Sequence, residues 1–406
     1  MRFCHVAMGL LLAATASAQA RPRAHDLGVP IAGTRAPLNG ITDVAGVEVG
    51  HTTLISGTGQ LIVGTGPVRT GVTVIHPRGR ANGDPVLGAW FTLNGNGEMT
   101  GTTWVEESGV VEGPIAITNT HSVGVVRDAI IAWQMRRPGS QPWALPIVAE
   151  TYDGFVSDIN GFHVKPEHVF TALDGARSGA VQEGNVGGGT GMVCLQFKGG
   201  IGTASRTVDI GGRSYTVGVL VQCNFGGRPT FQVAGVPVGQ EITDFMPCFA
   251  LSDVAIPPQA RARSCADARP SPSAGAGEDG AGSIIVVVAT DAPLLPHQLK
   301  RIATRASLGV ARAGGVGENG SGDIFIAFST ANARAAESDG VRTVQMLPND
   351  LMNPLFHATV AATEEAILNA MLAAETMEGA NGLRIHALPL DRLRTAMAKY
   401  GRPLRK

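Results

Sequence analysis

Five β-branched residues, Ile284 to Val288, follow a tract of small and polar ones without a break. Side chains branched at Cβ are stiff and pack well on a pleated sheet, so this run predicts a buried strand. Residues 41–55 alternate around Val44, Val47 and Val49, the pattern of a half-buried strand with glycine turns, and 70–76 predicts another. Further strands are expected at 114–118, 146–150, 214–223 and 321–330. Helical spacing lies between them. Val126, Ala129, Ile130 and Trp133 share one face of a helix entered through Ser122 and stopped at Pro138–Gly139. Leu295, Leu299, Ile302, Ala306 and Leu308 mark a helix over 293–313, and 354–377 and 388–399 predict two closing helices. Strands and helices interspersed without a short repeat predict a layered α/β domain.

Composition adds three things. Glycine is 54 of 406 residues, about twice its usual share, with no collagen period. The excess is assigned to tight turns and close backbone approaches, above all in the glycine-dense loops at 94–101 and 184–192. From 251 to 282 the chain turns to Pro, Ala, Arg, Ser and Gly, the composition of an exposed connector. The formal net charge of −1 provides no basic field for nucleic acid and no acidic tail.

The first twenty residues read as a secretory signal: Arg2, then apolar Val6 to Ala14, then small-residue cleavage sites around Ala16–Ala20. The apolar part is too short to span a bilayer, and no later stretch reaches that length uninterrupted. Cys4 falls in the removed segment. The expectation is an exported, periplasmic protein without a membrane anchor. Export permits disulfides. Cys248 and Cys265 bracket the start of the connector and are the favoured pair, whereas Cys194 and Cys223 lie in apolar runs and read as buried thiols.

Candidate chemistry centres on Gly282–Ser283. A serine on the first residue of a core strand is held rigidly from behind and approached by a flexible loop from before. Attack of its hydroxyl on the Gly282 carbonyl would give an ester, and hydrolysis would leave Ser283 as a new amino terminus. Glycine on the acyl side offers no side chain to obstruct that attack. The product would carry a hydroxyl nucleophile and, with an α-amine of pKa near ~8, its own base. A plain loop-to-strand junction is the alternative.

Other chemistries find little support. There is no phosphate-binding G-x-x-x-x-G-K-[ST] loop. G-x-G-x-x-G occurs at 275–280 and 315–320, but before strands, whereas the dinucleotide fingerprint follows one and opens a helix. The histidines are scattered, with no H-E-x-x-H or other tight metal-ligand cluster, and no G-x-S-x-G elbow exists.

Set beside Ser283, the blocks ETYDG (150–154), EGNVGGGTGM (183–192), FKGGIGTASR (197–206), VQCNFG (221–226) and NGSGD (319–323) resemble the DmpA/BapA family of self-processing aminopeptidases. That family comprises L-aminopeptidase/D-amino-acid esterases and β-peptidyl aminopeptidases. The likeness runs from about Ile41 to Tyr400, with the motifs in the family's order. It implies a four-layer αββα sandwich of the DmpA/ornithine acetyltransferase type, acting without a cofactor or metal. It also implies a precursor cut before Ser283, leaving a long chain (21–282) and a short one (283–406) of one catalytic domain, commonly assembled as tetramers of such units.

Carried over by position, the resemblance makes Ser283 the nucleophile and Asn224 the amide donor of the oxyanion hole. Ser321 and Asp323 match the hydroxyl and carboxylate beside the nucleophile; the family position of Asp323 can carry Glu. Glu150 matches the carboxylate that receives the substrate's free amino group, and Tyr152 a tyrosine that positions substrate or donates to the oxyanion. The implied partners are small peptides, amides or esters with a free amino terminus. Two alternatives stay open at this stage: an acyltransferase on the same fold, and a non-catalytic exported binding protein.

Overall fold

The computed structural model describes residues 21–137, 143–251, 263–266, 282–337 and 339–405. The expected signal at 1–20, the Pro138–Gly139 helix stop and nearly all of the 251–282 connector lie outside them. The first half of the chain forms β1 (Glu48–Ser56), β2 (Val68–His76), β3 (Val86–Thr92), α1 (Thr102–Ser108), β4 (Val110–Val111), β5 (Ile115–Asn119), α2 (Val123–Gln134), β6 (Ile147–Thr151) and α3 (Pro166–Asp174). There follow β7 (Val193–Cys194), β8 (Phe197–Lys198), β9 (Gly200–Ile210), β10 (Arg213–Asn224), α4 (Val238–Glu241), β11 (Cys248–Phe249) and β12 (Arg263–Ser264). The last part holds β13 (Gly282–Thr290), α5 (Pro296–Ala313), β14 (Ser321–Ser329), α6 (Asn353–Ala373), β15 (Met377–Glu378), β16 (Leu383–Ile385) and α7 (Leu390–Lys399).

Two sheets carry the architecture, one ordered β1-β2-β5-β6 and the other β4-β3-β14-β13-β10-β9. Alternation along each strand sorts the side chains into three apolar layers. Ile75, Ile117 and Ile147 of the first sheet meet Leu220, Ile285, Val287 and Ile326 of the second. The outer residues Val72, Val74 and Val148 pack on α2 and α3. On the far side Val219, Ile284, Val286 and Phe325 pack on α5 and α6. The result is the four-layer αββα sandwich. Strand β13 lies mid-sheet, parallel to β14 and antiparallel to β10, and all nine of its residues are buried. Both of its faces meet apolar layers, which is why its sequence runs without alternation.

The structure departs from the sequence pattern in several places. The strand expected from residue 41 begins only at Glu48. Asp43 accepts the Leu38 and Gly40 N–H groups, folding Ile41–Asp43 into a 3₁₀ turn. Leu308 is 55% exposed, because the buried face of α5 runs through Leu299, Ile302, Ala303, Ala306 and Val310. Strand β9 carries no alternation signal: it is built of small and polar residues because α6 lies directly on it. A Cβ on Gly202 would come within 2.0 Å of the Ala366 carbonyl oxygen. Cys248 and Cys265 are bonded as expected. Cys194 and Cys223 are not free thiols but a second disulfide, their Cα atoms 5.6 Å apart. The β7–β8 hairpin folds back on the end of β10 and brings together two cysteines from different elements.

Helix α6 is buried without interruption from Ala358 to Leu372, so its polar side chains must find partners inside. Glu365 accepts from Arg206 (2.6 Å), Arg35 and Asn39, and thereby ties the amino-terminal segment and β9 to α6. Arg206 and Glu365 have fully buried side chains. Removing one member leaves an unpaired buried charge, at a cost of about 3–5 kcal/mol. Glu365→Ala is therefore expected to lower the denaturant midpoint by an amount corresponding to that loss, with an unchanged m-value. A wild-type midpoint would show that the network contributes nothing.

Candidate active site

Register places Ser283 in a row across three strands, opposite Asn224 of β10 on one side and Gly322 of β14 on the other. Its side chain shares the inter-sheet face with Ile285 and Val287 and is almost sealed, at 4% exposure. The Gly322 N–H donates to Ser283 Oγ at 3.3 Å. Residue 282 must be glycine on packing grounds, since a Cβ there would lie 2.0 Å from the Asn224 carbonyl oxygen.

Asn224 is held from two directions. Val193 N–H donates to its Oδ1 at 2.7 Å, and its Nδ2 donates to the Tyr152 carbonyl at 3.0 Å. An amide nitrogen carries two hydrogens, so one N–H is left for a further acceptor. Val193 follows the glycine-rich loop, and that loop is tied down by Lys198. The Lys198 Nζ donates to the carbonyls of Met192 (2.8 Å), Gly199 (2.9 Å) and Gly189 (3.4 Å). Three acceptors match the three protons of an ammonium group. Burial with no carboxylate partner pushes this lysine down to about 7. The loop needs its glycines for close approach: a Cβ on Gly188 would lie 2.2 Å from Gln222 Oε1.

Ser321 donates to Asp323 Oδ1 at 2.6 Å, as side chains two apart on one strand face can. Alternation along β14 sets both on the face opposite Gly322. They flank the Gly282–Ser283 peptide, Ser321 in register with Gly282, and the Ile284 N–H also reaches Asp323. The Asp323 N–H is anchored on Asn94 Oδ1 at 2.7 Å. Burial pushes the Asp323 carboxyl up to about 6, against the Ser321 hydrogen bond that pulls it down.

Glu150 is the penultimate residue of β6 and is buried. Its Oε1 accepts the Glu98 N–H at 3.0 Å and its Oε2 the Thr120 hydroxyl at 2.5 Å. Burial raises its pKa, opposed by those two bonds. Among the described residues no lysine or arginine pairs with it. Gln222 ties the two sheets together nearby, donating to the Thr118 carbonyl and to Thr151 Oγ1. Asp153, pushed up to about 7 by burial, accepts from Asn119 and so joins the ends of β5 and β6. Tyr152 contributes its carbonyl to Asn224, while its ring stands edge-on to Phe155 and its hydroxyl rests against Gly154.

Ser283 and Asn224 thus share one end of the inter-sheet face, Ser321 and Asp323 lie beside the Gly282–Ser283 peptide on the other face of that sheet, and Glu150 is reached through the 94–98 loop. Thr120, Asn94, Gln222 and Lys198 were not among the positions singled out in the sequence. Thr120, Asn94 and Lys198 lie in the glycine- or threonine-rich blocks TNTHSVG, NGNGEMTG and FKGGIG, and Gln222 in VQCNFG, but nothing local names their partners. Among the described residues there is no cluster of His, Cys, Asp and Glu able to hold a metal ion.

A strand-head serine with an amide opposite it, on an αββα sandwich, defines a serine aminopeptidase of the N-terminal-nucleophile hydrolase type. The chain belongs to peptidase family S58, whose profile matches residues 39–385. It is 55% identical over 405 residues to the β-peptidyl aminopeptidase BapA of Sphingosinicella microcystinivorans, covering 99% of this chain and 98% of that one. It is similar in structure to the L-aminopeptidase D-Ala-esterase/amidase of Ochrobactrum anthropi, a variant of the Ntn hydrolase fold (TM-score 0.83, 45% identity, 94% and 99% of the two chains). The β-aminopeptidase of Burkholderia sp. superposes with a TM-score of 0.79 at 45% identity, over 94% of this chain and 99% of that one.

Asp323 loses its charge as the pH falls through about 6. The value of kcat/KM on an aminoacyl amide is expected to drop about tenfold per pH unit below that point. Ser321→Ala removes the bond that holds the Asp323 pKa down, so this acid limb should move to higher pH. A limb that stays in place in the variant would separate it from Asp323.

Proposed function

We infer that the chain is an exported β-peptidyl aminopeptidase that matures by cutting itself between Gly282 and Ser283. One observation carries this reading: a buried carboxylate that no lysine or arginine pairs with among the described residues, Glu150, stands beside the loop that packs on Gly322, the strand neighbour of Ser283. A desolvated carboxylate already holding two hydrogen bonds wants a charged donor, and a substrate's terminal ammonium is one. The preference for a β-amino acid is carried over from the relatives' activities.

In maturation Ser283 Oγ attacks the Gly282 carbonyl. The C–N bond breaks as the ester forms, and the hydroxyl proton ends on the nitrogen. Water then cleaves the ester into a Gly282 carboxylate and a Ser283 that carries both hydroxyl and α-amine. In turnover that amine takes the hydroxyl proton while Oγ attacks the carbonyl of a substrate whose ammonium Glu150 receives and which Tyr152 positions. The free Asn224 N–H stabilises the oxyanion, a contribution of about 3 kcal/mol in a preorganised site. Ser321 and Asp323 hold the amine, and the leaving amine departs with its proton before water releases the acyl group. Residues 1–20 direct export to the periplasm, 21–282 and 283–406 remain together as one domain, and the two-chain units assemble as a homo-oligomer, a tetramer in the family pattern.

Intact mass and amino-terminal sequencing of purified protein should find a fragment beginning at Ser283. Ser283→Ala should stay one chain and release nothing from a β-aminoacyl amide. Glu150→Gln should process normally but lose about 30- to 5,000-fold in kcat/KM, the value of a buried charge pair of about 2–5 kcal/mol. An uncut chain that still turns over substrate would overturn the assignment.

A further inference from the structure

The side chains of Lys198 and Asn224 hold opposite ends of one peptide group. The Met192 carbonyl accepts from Lys198 Nζ at 2.8 Å, and the Val193 N–H of the same peptide donates to Asn224 Oδ1 at 2.7 Å. A peptide group is rigid and planar, so whatever fixes its carbonyl also fixes its N–H. The β7–β8 hairpin builds this arrangement by pairing Val193 with Lys198. The Gly199 N–H joins the lysine on the Met192 carbonyl at 2.9 Å, and the Lys198 N–H is anchored on the His386 carbonyl at 2.8 Å. Lys198 is wholly buried, and among the described residues no carboxylate pairs with it. A buried ammonium is costly unless it finds acceptors. Those it finds, the carbonyls of Gly189, Met192 and Gly199, all belong to the loop and hairpin that carry Val193.

We propose that Lys198 is a positioning residue for the oxyanion hole, holding the Asn224 amide through the Met192–Val193 peptide. The inference rests on the assignment of Ser283 and Asn224 above. Every link is a donor meeting an acceptor: lysine to carbonyl, peptide N–H to amide oxygen, amide N–H to oxyanion. The chain also fixes which way round the amide lies. A half-turn about its last bond would set Asn224 Nδ2 against the Val193 N–H and Oδ1 against the Tyr152 carbonyl, two like pairs in place of two hydrogen bonds. Held as it is, the nitrogen keeps its second N–H for the acyl oxygen. Polarisation runs the same way. Electron density drawn toward the Met192 oxygen makes the Val193 N–H a better donor, and the bond to Oδ1 does the same for Nδ2. Gly199 and Tyr152 hold part of the arrangement without the lysine, so its removal should cost less than removal of Asn224 itself.

The test is a double-mutant cycle on β-alanyl p-nitroanilide with wild type, Lys198→Met, Asn224→Ala and the pair. Each rate is normalised to the fraction that carries the Ser283 fragment by intact mass. Removing one oxyanion donor costs about 100- to 1,000-fold in kcat. Lys198→Met should lower kcat by about 10- to 100-fold, the effect of misplacing a group by about 1 Å or less. KM should change by less than about twofold, because the lost interaction is made only in the transition state. In the Asn224→Ala background the same substitution should cost less than about twofold, whereas a merely structural role would repeat its full loss there. Lys198→Gln keeps an N–H donor and should lose less than Lys198→Met; it carries the cycle where Lys198→Met stays uncut. Wild-type kcat in a processed Lys198→Met, a loss that falls on KM, or an undiminished loss on top of Asn224→Ala would overturn the proposal, as would two uncut Lys198 variants. Where Asn224→Ala itself stays uncut, the split between kcat and KM decides. A wild type that releases no p-nitroaniline would instead refute the functional assignment itself.

Discussion

Strand β13 is hydrogen-bonded along both edges, and that double pairing governs everything at its first residues. Antiparallel pairing with β10 sets Asn224 opposite Ser283, and parallel pairing with β14 sets Gly322 there on the other side. A slip of one residue would turn Ser283 from the inter-sheet face to the helix face and carry Ile285 and Val287 out of the central core with it. The aim of the hydroxyl is therefore enforced by apolar burial further along the strand. Rigidity of this kind suits a nucleophile, because the cost of orienting it is met in folding.

Charge is handled in two contrasting ways. Glu365, on the outer side of the six-stranded sheet, is surrounded by Arg206, Arg35 and Asn39 and has its charge fully answered by the protein. Among the described residues Glu150 receives hydrogen bonds from a backbone N–H and a hydroxyl. Asp323 likewise has a hydroxyl and the Ile284 N–H, and Lys198 has three carbonyls. Hydrogen bonds reduce the desolvation cost of these groups without neutralising them, so their pKa values move toward the neutral form. The first arrangement holds elements together. The second leaves Glu150 without a lysine or arginine partner among the described residues and sets Asp323 to titrate near 6.

The glycines of the site are places where backbones meet. Gly282 abuts the Asn224 carbonyl, Gly188 the Gln222 amide, and Gly97 the Gly322 backbone. Each lets a loop come within reach of a strand end that carries a functional group. Asn224, Ser283 and Glu150 converge from strand ends of both sheets because the loops between them meet the strands through glycines.

The amino-acid sequence by itself determined the β-branched strand behind Ser283, the mixture of strands and helices that makes a layered domain and the side-by-side placement of Ser321 and Asp323, and it favoured the Cys248–Cys265 pair that the structure bonds. These follow from local rules: which face of an element is apolar, which residues lie two apart on a strand, which cysteines are near in the chain. Resemblance of scattered motifs added Asn224, Glu150 and the fold type. Only the tertiary structure decided that Val193 and Tyr152 orient Asn224, that Thr120 and Glu98 hold Glu150, that Cys194 meets Cys223, that Leu308 faces solvent and that the small residues of β9 form a buried strand. Each of those outcomes depends on a partner brought in by sheet pairing or helix docking. A periodic pattern records how much of a residue is to be buried, but not which distant segment will bury it.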